Sequence, residues 1–152
     1  MSGVSTAFDA FTTRLGTLFT TGSGYRQLTN PYDLEDNNVQ FLRKGWGLAV
    51  GAASNTNREL CGKITVRRIF RVVLSRSLDS LEHDIASKDT VVKLMLEDAK
   101  TVITDFERRF RLSDDFYNTA YETDSGIQSL RGDDFSILTL ELTFNVEFFD
   151  SI

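Results

Sequence analysis

The most regular pattern of apolar and polar positions lies at the C-terminal end of the chain. From residue 136 onward the even positions read Ser136, Leu138, Leu140, Leu142, Phe144, Val146 and Phe148, with mostly polar residues between them. Alternation with period two, rich in β-branched and aromatic side chains, predicts a strand over 134–150 with one buried face and one wetter face. At ~3.3 Å per residue this strand would span about 50 Å, more than the diameter of roughly 30–40 Å expected for a domain of this length. Either a bulge breaks the strand, or it runs past its own domain and something outside the chain covers its end, as in an assembly subunit.

Two other stretches repeat apolar residues at steps of three and four, which predicts amphipathic helices. The first helix is predicted over 5–20, with Ser5 or Thr6 as its cap and Gly22 or Gly24 at its end. Its apolar stripe consists of Val4, Phe8, Phe11, Leu15 and Leu18. The second helix is predicted within 79–111, where 78–86 could be a separate short helix or a loop. Its stripe consists of Val92, Met95, Leu96, Ala99, Val102, Ile103, Phe106 and Phe110.

Two further strands are predicted between these helices. In 45–53 large apolar residues alternate with glycine and alanine, and such small residues let another layer approach closely. In 61–76 apolar residues share one face, which Arg68 interrupts. We also expect a polar turn at 53–57, an irregular acidic stretch at 112–125 and a short strand at 126–130.

The order helix, two strands, long helix, two strands predicts a single α+β domain over 1–152. We expect an antiparallel or mixed β-sheet with the N-terminal helix and the long central helix packed on one face. The strand 61–76 and the final strand would form the body of the sheet, with the long helix packed on it and Phe106 in the core. A chain of 152 residues with 41% hydrophobic content can bury such a core.

Residues 21–44 form a long stretch without a periodic pattern. They contain the one proline of the chain and several glycines and asparagines, which favour turns. A loop of this length is unusual in a compact domain and is often functional. Its apolar side chains Tyr25, Leu28, Tyr32 and Leu34 could pack on the chain's own domain or on a neighbour.

Composition narrows the class of protein. The net charge of −5 argues against nucleic-acid binding by the whole surface. One cysteine, Cys61, excludes an internal disulfide. The N-terminal residues lack the pattern of a signal peptide, and no apolar run approaches the roughly 18–20 residues that span a bilayer. We therefore expect a protein of a reducing cytoplasm that does not enter a membrane.

Candidate catalytic residues are few. The one histidine, His83, is better explained as a solvated surface residue, and Cys61 as a small apolar filler. Three pairs of carboxylates could act as acid and base or bind a cation: Asp114 with Asp115, Glu122 with Asp124, and Asp133 with Asp134. None has the spacing of a calcium loop, and no set of residues has zinc spacing, so solvated loop carboxylates explain them better. We predict no catalytic residue, no metal and no cofactor.

The distribution of charge along the chain is more informative. From residue 62 to 77 the charged residues are all basic: Lys63, Arg67, Arg68, Arg71 and Arg76. From residue 112 to 150 they are acidic apart from Arg131, and the acids include Glu122, Asp124, Glu141 and Glu147. One interpretation is a subunit with a basic and an acidic flank that stacks head to tail around a ring. The other is pairing inside the chain, with Arg67 and Arg71 opposite Glu141 and Glu147 on the outer face of the sheet.

Arg68 raises a separate question, because it stands on the apolar face of its strand. A buried guanidinium is costly unless it is paired. We expect it either to point into a channel or a subunit contact, or to be turned outward by a bulge in its strand.

The order of elements resembles that of the tail terminator proteins of long-tailed bacteriophages, the family of the lambda-like minor tail protein that caps the tail tube. The resemblance covers nearly the whole chain, 4–149, and it is one of pattern and length. The segments that carry it are the first helix, Asn30-Pro31-Tyr32-Asp33-Leu34, Lys44-Gly45-Trp46-Gly47-Leu48-Ala49-Val50-Gly51, Arg67-Arg68-Ile69-Phe70-Arg71-Val72, the long helix, Glu122-Thr123-Asp124-Ser125-Gly126-Ile127 and Leu138-Thr139-Leu140-Glu141-Leu142-Thr143-Phe144-Asn145-Val146.

The resemblance implies a non-enzymatic virion protein that forms a homohexameric ring at the head-proximal end of the tail. Such a ring would stop polymerisation of the tail-tube protein and offer a docking face for a neck or head-completion protein. Genomic DNA would pass through its channel without sequence-specific contact. The alternatives are another neck component, such as a head-closure or connector protein, a tail-tube subunit that polymerises without limit, and, more remotely, a small hydrolase that uses the loop carboxylates.

We expect the ring contact to combine the two charged flanks with the apolar residues of the loop, because exposed ion pairs are individually weak. If Arg71 and Glu147 meet between subunits, reversing one charge should be compensated by reversing the other. The candidate subunit or tube interface comprises Tyr25, Leu28, Tyr32, Leu34, Lys63, Arg67, Arg68, Arg71, Arg76, Glu122, Asp124, Glu141 and Glu147.

Overall fold

A computed structural model of the chain describes residues 3–20, 25–60, 63–78, 85–109, 116–131 and 136–151. Its longest feature is the pairing of β3 (Lys63–Leu78) with β6 (Ser136–Ser151), two antiparallel strands of 16 residues each. Their register runs from Leu78 opposite Ser136 to Lys63 opposite Ser151 without a shift. The alternative of a broken final strand is therefore wrong for this pair. At ~3.3 Å per residue the two strands run together for about 50 Å.

The other strands complete a mixed sheet around this pair. The elements are β1 (Arg26–Gln27), β2 (Lys44–Leu60), β4 (Phe116–Asp124) and β5 (Gln128–Arg131), and the strand order is β1-β2-β3-β6-β4 with β5 also beside β6. All neighbours are antiparallel except β1 and β2. The helices α1 (Gly3–Thr20) and α3 (Ile85–Arg109) share one core with the sheet. The predicted α+β architecture, two helices packed on a mostly antiparallel sheet, is confirmed.

Two predicted irregular stretches are strands instead. The polar turn expected at 53–57 is wrong, because β2 continues to Leu60. Register shifts between Val50 and Ala53 and between Ser54 and Arg58 place extra residues in β2 relative to β3. These bulges allow the polar segment 53–57 to remain part of the strand. The acidic stretch 112–125 contains β4, whose pairing with β6 also shifts twice. Bulges break the period of two, so the pattern of these strands is not visible in the sequence.

The core lies between the sheet and the two long helices. Phe11 of α1 meets Phe70 of β3 and Phe106 of α3 edge to face, with ring centroids 5.1 and 4.6 Å apart. Phe106 also lies 5.3 Å from the ring of Phe144 on β6. All four rings are fully buried, which confirms the predicted place of Phe106 and of the long helix. The described helices include none that is both long enough and apolar enough to cross a membrane.

The segment 25–43 wraps around the edge of β2 instead of forming an open loop. It contains β1, a 3-10 helix (Leu34–Asp36) and α2 (Val39–Leu42). Tyr25 joins the main core, whereas Leu28 and Leu42 pack on the opposite face of the sheet with Val73 and Ile137. Within the described residues, segment 25–43 therefore covers the second face of the sheet at one end.

A glycine and an asparagine hold this segment in place. A Cβ on Gly47 would lie 2.8 Å from the Cβ of Pro31, so only glycine allows the segment to approach β2 this closely. The side chain of Asn37 accepts the N–H of Asn30 at 2.8 Å and donates to its carbonyl at 2.7 Å. This exchange closes the turn around Pro31.

Several predicted features lie outside the described residues. They are the helix end at Gly22 or Gly24, Cys61, His83, and the carboxylate pairs Asp114 with Asp115 and Asp133 with Asp134.

Candidate subunit interface

The part of the second sheet face that segment 25–43 does not cover is the first candidate interface. In the part of the chain that the structure describes, this open face carries the odd positions of β3 and β6. Arg71 is exposed there, and Arg67, Ile69, Thr143 and Asn145 are partly exposed. We call this surface the open sheet face.

Arg67 and Glu147 of the open sheet face pair with each other inside the chain. They stand opposite one another in register, and Arg67 Nε and Nη2 donate to Glu147 Oε1 at 2.9 and 2.5 Å. The exposed fractions of the two side chains are 40% and 15%. This pairing inside the chain was one of the two interpretations of the charges, and it removes Glu147 as a partner for Arg71 of a neighbouring copy.

Arg71 has a different environment. Its register partners are Ala49 on β2 and Thr143 on β6, both uncharged. Its Nη2 atom lies 3.4 Å from the place that a Cβ on Gly51 would occupy, so the guanidinium lies along the small residues of β2. The described residues place no carboxylate in ion-pair contact with Arg71.

Arg76 and Tyr25 are largely buried within the chain's own fold, where both contact Asp98 of α3. Arg76 Nη2 lies 3.2 Å from Asp98 Oδ2 of α3, and the Tyr25 hydroxyl donates to the same carboxylate oxygen. Burial, followed by the bond to Asp98, raises the pKa of Tyr25 far above its usual value. Lys44 lies 4.8 Å from the centroid of the Tyr25 ring, and burial followed by the charge of Arg76 lowers the pKa of Lys44.

The expectation that Tyr25 and Leu28 supply apolar area to a neighbour is corrected by their burial. Their exposed fractions are 7% and 4%, because the segment packs both side chains on its own sheet. Leu34 is also partly buried, against the apolar side chains on the second face of the sheet that include Leu28 and Leu42. Tyr32 is the one exposed residue of the four, with an exposed fraction of 66%.

The acidic residues of the predicted flank serve local contacts. Glu122 accepts a hydrogen bond from Asn145 Nδ2 at 2.8 Å. Asp124 accepts the Gly126 N–H at 2.8 Å and the Tyr121 hydroxyl at 3.0 Å, which closes the turn where Gly126 has a φ of 71°. Burial, followed by Asp124, raises the pKa of Tyr121. Glu141 is partly buried, with its backbone bonded to Ser125.

Lys63 is described by its backbone alone, opposite Leu60 and Ser151 at the far end of the sheet.

Arg68 stays on the helix side of β3 and is partly exposed. A bulge does occur beside it, but in β2 between Val50 and Ala53 instead of in its own strand. Arg68 Nη1 donates to the carbonyl of Gly51, within this bulge, at 2.9 Å, while its buried Nε has no partner among the described residues. The prediction of a bulge in its own strand that turns Arg68 outward is therefore wrong, because β3 pairs with β6 without a shift and the bulge lies in β2.

A second candidate surface was not predicted. An open groove of about 510 Å³ lies between the first half of α1 and the edge of β2. It is lined by Val4, Ser5, Phe8, Asp9, Tyr32 and Val50. The hydroxyl of Tyr32 accepts the Val50 N–H at 3.0 Å, which holds the exposed ring against the strand edge. The sequence contained the apolar residues of α1 but no local signal that segment 25–43 would form the opposite wall.

Both surfaces carry charged and apolar side chains, which are suited to binding a partner. Among the described residues no three histidine, cysteine, aspartate or glutamate side chains are placed to hold a metal ion. The chain matches no known family model, and no curated protein matches it.

Proposed function

We propose that the chain is a non-enzymatic structural subunit that closes into a ring, of six copies as the resemblance implies, and caps the tail tube of a long-tailed bacteriophage. The ring ends polymerisation of the tube and offers a docking face to the head. Its partners are other copies of the chain, the tube protein and a neck protein.

One observation carries this proposal. A sheet with strands of 16 residues has two helices on one face and a second face that segment 25–43 covers only at one end. The open sheet face is largely polar: it carries Thr143, Asn145, the Arg67–Glu147 pair and exposed Arg71, together with the partly exposed Ile69. A largely polar face of this kind suits the wall of a water-filled channel, because its polar side chains stay hydrated there and the charges of Arg67 and Glu147 are already paired within the chain.

Mass and shape in solution test the proposal. Light scattering across protein concentration, followed by electron microscopy, should find a closed ring of about the six copies that the resemblance implies. Fibres that lengthen with concentration would point to a tube subunit instead. A chain that stays monomeric up to high concentration would contradict the ring.

Activity on a tube separates a terminator from other neck components. Preformed rings added to polymerising tube protein should stop growth and be found at one end of each tube. Rings that leave the length distribution of the tubes unchanged would favour a head-closure or connector protein.

A further inference from the structure

The groove defined above lies on one flank of the molecule. Its walls are the side of α1 that carries Phe8 and Asp9, and the edge of β2 at Val50. The opposite side of α1 faces α3, because Arg14 donates to Asp105 with distances of 2.8 and 2.6 Å. The groove therefore opens outward beyond the β2 edge of the sheet, away from α3.

An apolar ridge lies on the opposite flank. Leu96 of α3 is 50% exposed, and the partly buried Val92 and Ile103 stand one turn before it and two turns after it on the same side of the helix. This side points away from α1, since Asp105 and Asp98 occupy the other side of α3. Glu107, one turn beyond Ile103, accepts the backbone N–H of Tyr121 on β4 at 3.0 Å, which places the ridge on the β4 flank.

We propose that Leu96 of one copy inserts into the groove of the next copy, so that the ridge and the groove form the contact between neighbours in the ring. The proposal rests on the ring of the proposed function and names the surfaces that build it. Groove and ridge occupy opposite flanks, which is the arrangement of a head-to-tail contact that can close on itself. A contact of this kind buries exposed apolar side chains on both partners.

Charge favours a second copy as the occupant of the groove. The groove carries one carboxylate, Asp9, which is exposed at its rim. Lys93 and Lys100 are exposed on α3 three residues before Leu96 and four residues after it, and thus flank the ridge. When Leu96 enters the groove, a lysine comes to the rim where Asp9 stands. Such pairs at the edge of an apolar contact fix its orientation more than its strength.

Side-chain contact fits these flanks better than the pairing of strand edges. Register shifts interrupt β2 beyond Val50, and two more interrupt β4. Bulges of this kind twist the edge of a sheet and hinder the addition of a foreign strand. The groove lies beside the start of the bulged part of β2, where an apolar side chain can enter without a ladder of hydrogen bonds.

A matched pair of substitutions on one helix tests the contact. Leu96→Gln keeps helix propensity but would bury an unpaired amide in the groove. Leu94→Gln is the control, because Leu94 is 44% exposed on the same helix and lies on the side that carries Asp98 and Asp105. We expect Leu96→Gln to raise the concentration for half-maximal assembly at least about tenfold, whereas Leu94→Gln and the wild type assemble alike. Thermal unfolding of both variants checks that each is folded.

Cross-linking between two different copies gives an independent measurement. In a Cys61→Ser background, a Tyr32→Cys protein is mixed with a Leu96→Cys protein and oxidised. A mixed disulfide dimer is expected, and the same mixture with Leu94→Cys should give at most a trace.

The outcomes separate this proposal from the ring itself. Rings that form with unchanged affinity in Leu96→Gln, or equal cross-linking through residues 94 and 96, overturn the contact and leave the proposed function standing. A wild-type chain that never associates overturns the ring and with it the contact.

Discussion

Arg67 and Glu147 form an ion pair across β3 and β6 of the same chain, at 2.5 Å between Nη2 and Oε1. The two strands place them opposite each other because their register is continuous. The sequence alone left open whether these charges pair within one chain or between neighbouring copies, and the structure pairs Arg67 with Glu147 within one chain. Glu147 is no longer a candidate to compensate a reversal at Arg71.

The first prediction concerns the stability that this pair contributes. Glu147→Gln should lower the free energy of unfolding by only about 0.5–1 kcal/mol, because the side chain of Arg67 is 40% exposed and solvent screens the pair. Glu122→Gln is the control, since the amide oxygen can still accept the bond from Asn145 and the change should stay within about 0.5 kcal/mol. Urea unfolding measures both. A double variant Arg71→Glu with Glu147→Arg should not regain assembly, and a rescue would return Glu147 to the subunit contact.

A second prediction concerns the exposed charge at Arg71. Arg71→Glu should prevent ring formation and tail completion, because the guanidinium lies along Gly51 of β2, towards the flank that carries the groove, and a carboxylate there would repel an acidic group of the neighbouring copy. Arg71→Lys keeps the charge and should still assemble. Salt near 1 M, where the Debye length is ~3 Å, should weaken assembly without unfolding the subunit. If light scattering shows that Arg71→Glu forms rings as readily as the wild type, Arg71 is a solvated side chain with no role in assembly.

The third prediction tests the core beneath α3. Phe106→Ala should lower the free energy of unfolding by roughly 3–5 kcal/mol, because the ring is fully buried against Phe11 and Phe144. Thr104→Ala, at an exposed position of the same helix, should leave it unchanged or raise it by up to about 0.5 kcal/mol, since alanine is the better helix former. Denaturant unfolding of the two variants supplies the comparison. A decrease of less than about 1 kcal/mol in the free energy of unfolding for Phe106→Ala would mean that α3 does not pack on the sheet as described.

The fourth prediction concerns alkaline pH. The pKa of Tyr25 is raised in the folded chain, first by burial and then by Asp98, from an ordinary value of 10.0. The unfolded chain therefore loses its proton first, so the stability contributed by Tyr25 is complete below about pH 10 and declines above it. Tyr25→Phe should make the free energy of unfolding fall less steeply between about pH 9 and about pH 11. Parallel curves for Tyr25→Phe and the wild type would mean that Tyr25 titrates normally in the fold.

Hydrophobic periodicity predicted the elements whose apolar residues keep a single repeat period from end to end. Helix α1, helix α3 and strand β6 keep their period, and the predicted pairing of β3 with β6 follows from two long apolar faces that must meet. Strand β4 and the end of β2 were missed because bulges reset the alternation within a few residues. These errors do not change the predicted fold class, because the regular elements form the core.

The candidate site was less predictable because it depends on partners distant in sequence. Arg76 was expected at an interface and instead binds Asp98, whose position depends on how α3 packs on the sheet. Tyr25 and Leu28 were assigned to a neighbour, whereas segment 25–43 puts them on the two faces of its own sheet. Leu96 was counted with the core stripe of its helix, although it stands next to Met95 and cannot share the centre of that stripe. Charge alone could not distinguish Arg67, which is paired, from Arg71.

The place of β6 in the sheet has a consequence for how the chain is made. β6 lies between β3 and β4 and bonds to both, yet it follows them in the chain. During synthesis on the ribosome, β3 and β4 are therefore made before β6, and the strand edges to which β6 will bond remain unpaired until then. Contacts of such long sequence separation form slowly. The native surfaces of the chain then form only after β6 has emerged and inserted, so the proposed ring contact would have to wait until the sheet is closed.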